Sequence, residues 1–181
     1  MQEYVTNAIV LRKFPQGDLD GRYTLFTERY GKITGKAKSS RKITSKLAPH
    51  LEPGTALRAR FIEAHGTQII DALKVGDARR SLMDLQFLAM ILPEGQPEHA
   101  VWRMLVTRRF SWQKVLAVLG WDPADALCES CGIRRGTNFF VPRQEFFCDQ
   151  CVRKVPLITR QNAVISLYAS VQSERRVDKQ E

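Results

Sequence analysis

The 181-residue sequence predicts an α+β protein. An N-terminal five-stranded β-barrel of the OB type is followed by an α-helical domain into which a four-cysteine zinc module is inserted. Three observations carry that expectation. Up to about residue 75 the apolar residues alternate or fall in short β-branched runs, and from residue 78 they recur at helical spacing. All four cysteines lie in two Cys-x-x-Cys pairs, Cys128/Cys131 and Cys148/Cys151, separated by residues 132–147.

The strands come first. Val5 to Arg12 is rich in branched residues and runs into the turn-prone Phe14-Pro15-Gln16-Gly17-Asp18. Arg22–Thr27 places Tyr23, Leu25 and Thr27 on one face and Thr24 and Phe26 on the other, and Tyr30-Gly31-Lys32 turns the chain into a short basic strand, Ile33–Lys38. Ser39–His50 is polar and basic and reads as a loop or helical turn, stopped by Pro49 and Pro53. Leu57-Arg-Ala-Arg-Phe61 alternates strictly, a half-buried strand with two arginines on one side, and Gln68–Val75 is the last strand after His65-Gly66. Five short strands with a connecting segment after the third outline an OB-type barrel. Closure lets so short a β-chain bury a core without open edges.

The helical period follows. Ala78–Leu92 carries Leu82, Leu85, Leu88, Ala89 and Leu92 and stops at Pro93; His99–Arg109 carries Trp102, Leu105 and Val106. Ser111 is placed to cap a third helix with Trp112, Val115, Leu116 and Leu119 inward and Gly120 as its stop. After the cysteines, Thr159 is expected to cap a final helix with Val164, Leu167, Tyr168 and Val171 inward. The expected domains are 1–76 (barrel), 77–175 (helical, with the zinc module over about 127–155) and a disordered tail at 176–181.

Composition bounds the function. A hydrophobic share of 44% and a charged share of 26% belong to a folded protein rather than a disordered one. No apolar run approaches the roughly 18 residues that span a bilayer, and Met1-Gln-Glu-Tyr shows neither the basic start nor the apolar run of a secretory signal. The expected location is therefore cytoplasmic, where thiols stay reduced and a metal is favoured over disulfides.

Two Cys-x-x-Cys hooks at this spacing suit one tetrahedral Zn²⁺, each hook curling so that two sulfurs reach the ion. The set leaves no open coordination position and no spare thiol, so the site is read as structural. An iron–sulfur centre and disulfides are the alternatives; a thioredoxin-like redox hook lacks its βαβ setting. Four thiolates on Zn²⁺ leave a charge of about −2, which Arg134, Arg135, Arg153 and Lys154 are placed to offset.

The net charge is +9, which points to a polyanionic partner. The charge is concentrated: Arg29, Lys32, Lys36, Lys38, Arg41, Lys42 and Lys46 follow one another without an acid between them, interleaved with Ser39, Ser40, Thr44 and Ser45. Such a block repels itself unless an anion is present, and it falls where OB barrels carry nucleic acid. Arg58 and Arg60 are candidates to extend the track, and Tyr23, Phe26 and Tyr30 to stack bases. An anionic membrane and a merely solvated basic face are the weaker readings. Catalysis finds no support: His50, His65 and His99 are scattered, and there is neither an acidic cluster for Mg²⁺ nor a Gly-x-x-x-x-Gly-Lys-Ser/Thr loop.

Several segments together resemble the RecO family of recombination mediators. They are Ala8-Ile-Val-Leu-Arg12, Gly21–Thr27, Tyr30-Gly31-Lys32, the basic Ala37–Lys42 with Ser45-Lys46-Leu47, and Leu119-Gly120-Trp121 leading through Leu127 to Cys128-x-x-Cys131-Gly132 and Cys148-x-x-Cys151. The resemblance implies a non-enzymatic DNA-repair protein of the nucleoid that binds single- and double-stranded DNA and anneals complementary strands. It further implies exchange of single-strand-binding protein for the RecA recombinase, with RecR as a partner. Arg103, Arg108 and Arg109 are candidate receivers for the acidic tail of single-strand-binding protein. The chain is shorter than is usual in the family, with one helix after the zinc module. A zinc-ribbon adaptor, an RNA-binding protein and a DNA nuclease are the rival readings.

Overall fold

The computed structural model describes residues 2–107, 109–133 and 135–167, which form two compact units, 1–108 and 109–181. The first unit begins with five strands: β1 (Gln2–Gln16), β2 (Asp20–Thr27), β3 (Gly31–Ala37), β4 (Thr55–Glu63) and β5 (Thr67–Asp77). They follow the order β1-β2-β3-β5-β4 and return to β1, so the sheet closes on itself as an OB-like barrel. The β3–β5 seam is its thinnest part, one parallel pair between Lys36 and Gln68. All other neighbours are antiparallel.

Strand β1 is longer than its sequence suggests. Its first half pairs with β4 (Gln2–Ile9 against Ala56–Glu63) and its second half with β2 (Ala8–Gln16 against Asp20–Thr27). A bulge between Val10 and Arg12 bends it from one neighbour to the next. The segment Phe14–Gln16, expected as a turn, is therefore strand. Pro15 is tolerated opposite Gly21 beside the hairpin tip, where a missing N–H costs little.

Alternation sends Ala8, Val10, Tyr23, Leu25, Leu57, Ala59, Phe61, Ile69 and Ala72 into the barrel, with Leu51 of the connecting segment as a plug. Tyr23 donates its hydroxyl hydrogen to Ser40 Oγ at 3.1 Å, giving a buried phenol a partner. Ser39–His50 is turns and bends ending in a 3-10 turn, Ala48–His50, as expected.

Two helices belong to the same unit: α1 (Leu82–Ile91) and α2 (His99–Val106). The compact unit thus runs past the change of period at residues 76–77. Ser81 caps α1, accepting from the Asp84 amide at 3.0 Å. Leu85, Leu88, Ala89 and Leu92 are buried, but Leu82 at the head of the stripe is 65% exposed, since it sits in the first turn before the helix meets the sheet.

Helix α1 packs on β1 and β2, so the sheet is covered on both sides over Ala8–Leu11, and Phe26 meets Trp102 of α2 edge-on at 5.9 Å. Here the signature Tyr30-Gly31-Lys32 does its structural work. Gly31 has φ +68°, and a Cβ there would lie 2.1 Å from the Gln96 carbonyl oxygen. Lys32 is 7% exposed; its Nζ donates to the Ala89 carbonyl oxygen at 2.8 Å and lies 3.5 Å from Glu94. A cation at the C-terminal turn of α1 is where the helix dipole favours one.

The second unit holds α3 (Trp112–Val118), β6 (Asn138–Phe140), β7 (Glu145–Phe147), α4 (Leu157–Ala163) and β8 (Val164–Ser166). Gly120 ends α3 with φ +96°, and the Gly120 and Trp121 amides return to the Ala117 and Leu116 carbonyls. Ser111 begins α3 without a side-chain cap bond.

The long final helix expected from Thr159 is not formed. α4 starts after Pro156 and stops at Ala163, and Val164–Ser166 becomes a strand paired with β6. Backbone pairing with Phe140, Phe139 and Asn138 overrides the helical spacing of Val164 and Leu167; Tyr168 and Val171 lie outside the described residues, as does the 176–181 tail.

Candidate functional site

Two places gather chemistry: the open part of the barrel's outer face, and the four cysteines. On the barrel, strand pairing arranges outward side chains in rows across β1, β2 and β3. The first row, Ile9–Phe26–Lys32, lies under the helices and is buried. The next, Arg12–Thr24–Thr34, and the last, Phe14–Arg22–Lys36, are open. Directly opposed residues of adjacent strands share a face, so each row is a contiguous strip.

Hydroxyls of Thr24 and Thr34 lie 3.5 Å apart, and the Arg12 guanidinium carbon stands 4.6 Å from the centroid of the Phe14 ring. A groove of about 450 Å³ is lined by Phe14, Pro15, Gln16, Arg22, Thr24 and Thr34. A second, of about 440 Å³, shares Phe14 and Pro15 and is lined further by Arg41, Lys42 and the paired Lys13 and Glu52.

The loop after β3 is laced to the β1–β2 hairpin. The Asp20 carboxylate accepts from the Ser39 amide at 2.7 Å, the Arg41 amide donates to the Leu19 carbonyl at 2.9 Å, and Arg41 Nη1 donates to the Gly17 carbonyl at 3.0 Å. Lys36 Nζ lies 2.7 Å from Asp20. The Lys36 contact first, then the Ser39 amide and the Lys38 charge, hold the Asp20 carboxyl below its ordinary range.

The nine residues expected to bind DNA are thus not one track. Arg41 and Lys42 line the second groove, and Lys36 stands on β3 paired with Asp20. Lys38 and Lys46 are exposed on the same loop, and Arg29 is exposed in the β2–β3 turn. Lys32 faces the helices, with its charge already committed. Arg58 and Arg60 project from β4, whose neighbours are β1 and β5, and Arg60 pairs with Glu3 at 3.2 Å.

None of the three suggested base-stacking rings lies free on this face. Tyr23 and Phe26 are core, and Tyr30 packs against Tyr4 at 4.4 Å. Burial, then the Glu63 carboxylate, push that Tyr4 phenol up to about 12. Arg12, Phe14 and Arg22 stand on this open face as well and are not among the nine. The signal lay in the hairpin: strands flanking the Gly17–Leu19 tip set Phe14 opposite Arg22 and Arg22 opposite Lys36.

In the other unit, the ligating sulfurs of Cys128, Cys131, Cys148 and Cys151 all lie within 4.8 Å of one another, and no disulfide joins the described cysteines. Sulfurs at about 2.3 Å from one tetrahedral ion stand ~3.8 Å apart, so the set fits a single metal. Local sequence builds each hook. Gly132, at φ +65°, follows the first, and its amide returns to the Cys128 carbonyl at 2.8 Å. Strand β7 delivers the second, and the Cys151 amide donates to Cys148 Sγ at 3.4 Å.

Asp149 ties the second hook to β6, accepting from Thr137 Oγ1 at 2.7 Å and Asn138 Nδ2 at 2.8 Å; these bonds, with Arg153, hold its carboxyl below the ordinary range. Burial pushes the Cys128 thiol up, but the Cys148, Cys131 and Ser130 amides outweigh it and bring it down. The Cys151 amide foremost holds Cys148 down as well. At Cys151 the Ser130 hydroxyl acts downward, yet the neighbouring thiols and burial leave it at about 11. Like groups this close do not all ionise unless a cation joins them.

Arg135, Arg153 and Lys154 are exposed nearby in sequence, whereas Arg134 lies outside the described residues. Of the residues suggested for an acidic tail, Arg103 is exposed on α2, Arg109 belongs to the second unit and Arg108 is outside the described set. Among the described residues, no helix is long and apolar enough to cross a membrane.

Comparison with known proteins shows what the chain is similar to. Residues 1–79 match the family described as Recombination protein O N terminal. Over 161 residues the chain is 27% identical to the DNA repair protein RecO of Geobacter metallireducens, covering 74% of this chain and 65% of that protein. Against the RecO of Thermodesulfovibrio yellowstonii it is 27% identical over 180 residues, 82% of this chain and 70% of that one. A shorter match to the RecO of Dehalococcoides mccartyi reaches 48% identity over 50 residues, 28% of this chain and 20% of the relative. The chain therefore spans about two thirds of the length of the first two relatives. The barrel lies within the stretch that matches the RecO N-terminal family, and the chain as a whole is similar to the RecO DNA repair proteins.

Proposed function

We propose that this protein binds DNA through the open rows of its barrel and anneals complementary strands as a non-enzymatic mediator of recombinational repair. The observation that carries the reading is a basic face on a RecO-type barrel: Arg22 lines one groove and has Lys36 opposite it on β3, and Arg41 and Lys42 line a second groove that shares Phe14 and Pro15 with the first. Lys36 and Arg41 have partners within the fold, but one carboxylate does not neutralise the group, whereas a phosphate backbone does so and releases counterions. Two strands held on such a surface repel each other less, which speeds pairing. Exchange of single-strand-binding protein for RecA, with RecR as a partner, and a cytoplasmic, nucleoid-associated location extend the same reading.

In this reading the four cysteines hold one structural Zn²⁺. When bound, the ion closes the tetrahedron and contributes folding energy rather than chemistry. Cys128 and Cys131 come from the first hook, Cys148 and Cys151 from the second, and Asp149 orients the latter through Thr137 and Asn138.

The test is annealing of two complementary dye-labelled oligonucleotides across a salt series without ATP. Acceleration that fades with salt is expected. Replacing Lys36, Arg41 and Lys42 together with Ala should flatten the salt dependence of binding by about 0.7 per lost phosphate contact on a single strand. An unchanged slope removes this face from the function. A second reading, a zinc-ribbon adaptor for proteins, draws on the exposed apolar residues around the cysteines: Ile133 is 85% exposed, Ile158 78% and Leu127 60%. Intact DNA binding with a partner lost on chelation would favour it.

A further inference from the structure

Phe14 is a bulky aromatic left 40% exposed at the mouth of both grooves. The barrel does not need it there: Val10, Leu25, Phe61 and their neighbours already fill the interior. Its surroundings are unlike a stray surface phenylalanine. Arg12 stands over the ring at 4.6 Å, Arg22 is its directly opposed neighbour on β2, and Lys36 is the next residue across on β3. Beside that row lies Arg12–Thr24–Thr34, a cation followed by two hydroxyls.

An aromatic face, guanidinium groups and hydroxyls within two adjacent rows match the parts of one nucleotide. The base has a π-face for the ring, and the phosphate and sugar have acceptors for the cations and hydroxyls. Neighbouring strands lie about 4.8 Å apart, so Phe14 and Lys36 sit roughly 10 Å apart across the row. That separation lets a base and its own backbone be held together.

We infer that Phe14 is a stacking platform for an unpaired base, so that the barrel's outer face selects single-stranded over double-stranded nucleic acid. In a duplex both faces of each interior base are taken up by its neighbours, and only the backbone is offered. Arg22, Lys36, Arg41 and Lys42 accept a backbone of either kind. Phe14, with Arg12 against it, accepts only a base whose face is free. Phe14 and Pro15 also border the second groove, which Arg41 and Lys42 line. The inference rests on the nucleic-acid reading of the barrel and adds what that reading leaves open, the strandedness of the ligand and the residue that senses it.

The test uses the full chain, an oligo-dT strand and a blunt duplex of equal length. Phe14→Ala should weaken binding of the single strand about 5- to 150-fold, the span that corresponds to loss of one base–aromatic stack, and leave duplex binding unchanged. Phe14→Trp should restore the affinity. Its added emission, taken against the parent with its three tryptophans, should be quenched by oligo-dT and not by duplex. A Phe14→Ala variant that melts like the parent and binds both ligands like the parent overturns the inference. Equal weakening for both ligands overturns it too. If Phe14→Ala is silent while the Lys36, Arg41 and Lys42 replacement loses binding, stacking falls and the phosphate reading stands. If neither variant changes binding, the barrel reading itself falls.

Discussion

The two compact units are stabilised in different ways. In unit 1–108, strands of seven to fifteen residues close a barrel around fully buried Leu25, Leu57 and Phe61, and helices cover its second face. Among the described residues of unit 109–181 the sheet has three strands of three residues each, and the unit buries Val115, Leu116, Phe139 and Ile165 besides the cluster of cysteines with Phe147. A barrel of that size supplies its own apolar core. Strands of three residues bury less, and small units commonly add a metal or another staple. The comparison teaches that one chain can combine a unit built on long strands with one whose four cysteines are set to hold a metal.

The sharpest way to break that contrast is to take the metal away. Cys128→Ser, or a strong chelator, should abolish the unfolding transition of the second unit while the barrel's transition stays in place. Structural zinc in small modules contributes on the order of 10 kcal/mol, more than the second unit's short strands can replace. Domain-resolved hydrogen exchange with metal analysis would check it. Protection lost equally in both units would erase the distinction drawn between them.

A smaller effect is expected from Gly31→Ala, which attacks the barrel unit where it meets its own helices. The added Cβ must adopt φ near +68° and displace the Gln96 backbone, so a loss of about 2–4 kcal/mol is expected. It should appear as a lower melting temperature of the barrel with metal content unchanged. A melting curve identical to the parent's would mean that the close approach to Gln96 is not what fixes the helices.

The smallest effect is Asp20→Asn. The amide oxygen still accepts from the Ser39 amide, but the charge that occupies Lys36 is gone. Single-strand binding should tighten at low salt, with a slope steeper by at most about 0.7. Because the folded state holds the Asp20 carboxyl down, its stabilising contribution is present above the unfolded carboxylate pKa and is lost as pH falls through the lowered folded value. The Asn variant should lack that part of the acid sensitivity. A variant with unaltered DNA binding would show that Asp20 does not hold Lys36 in reserve.

Legibility in the sequence followed the range of the interactions involved. Alternation in Leu57–Phe61 and the 3.6 spacing of Leu85, Leu88 and Leu92 are local, and both led to the right elements. So did the cysteine spacing, because each hook is four residues long and its geometry is nearly self-contained. The errors came where a distant partner decides. Val164 and Leu167 have helical spacing, but the open edge of β6 claims the segment as a strand.

Lys32 stands in a basic run and looks like its neighbours, and only the arrival of α1 separates it from them. The open face was half legible. The block from Arg29 to Lys46 drew attention to its own charges, while the row Phe14–Arg22–Lys36 exists only once the hairpin register is known.

Lys32 also sets a practical limit on where the barrel can be cut. The stretch matched to the RecO N-terminal family ends at residue 79, before either helix begins. A fragment trimmed there would leave this lysine without the Ala89 carbonyl and Glu94, and would strip Trp102 from Phe26. It would bare an apolar strip directly beside the open rows, and a sticky patch at that place would imitate a ligand site in any binding assay. Transplanting the barrel into another protein, or expressing it alone, calls for carrying the chain through α2 to Thr107.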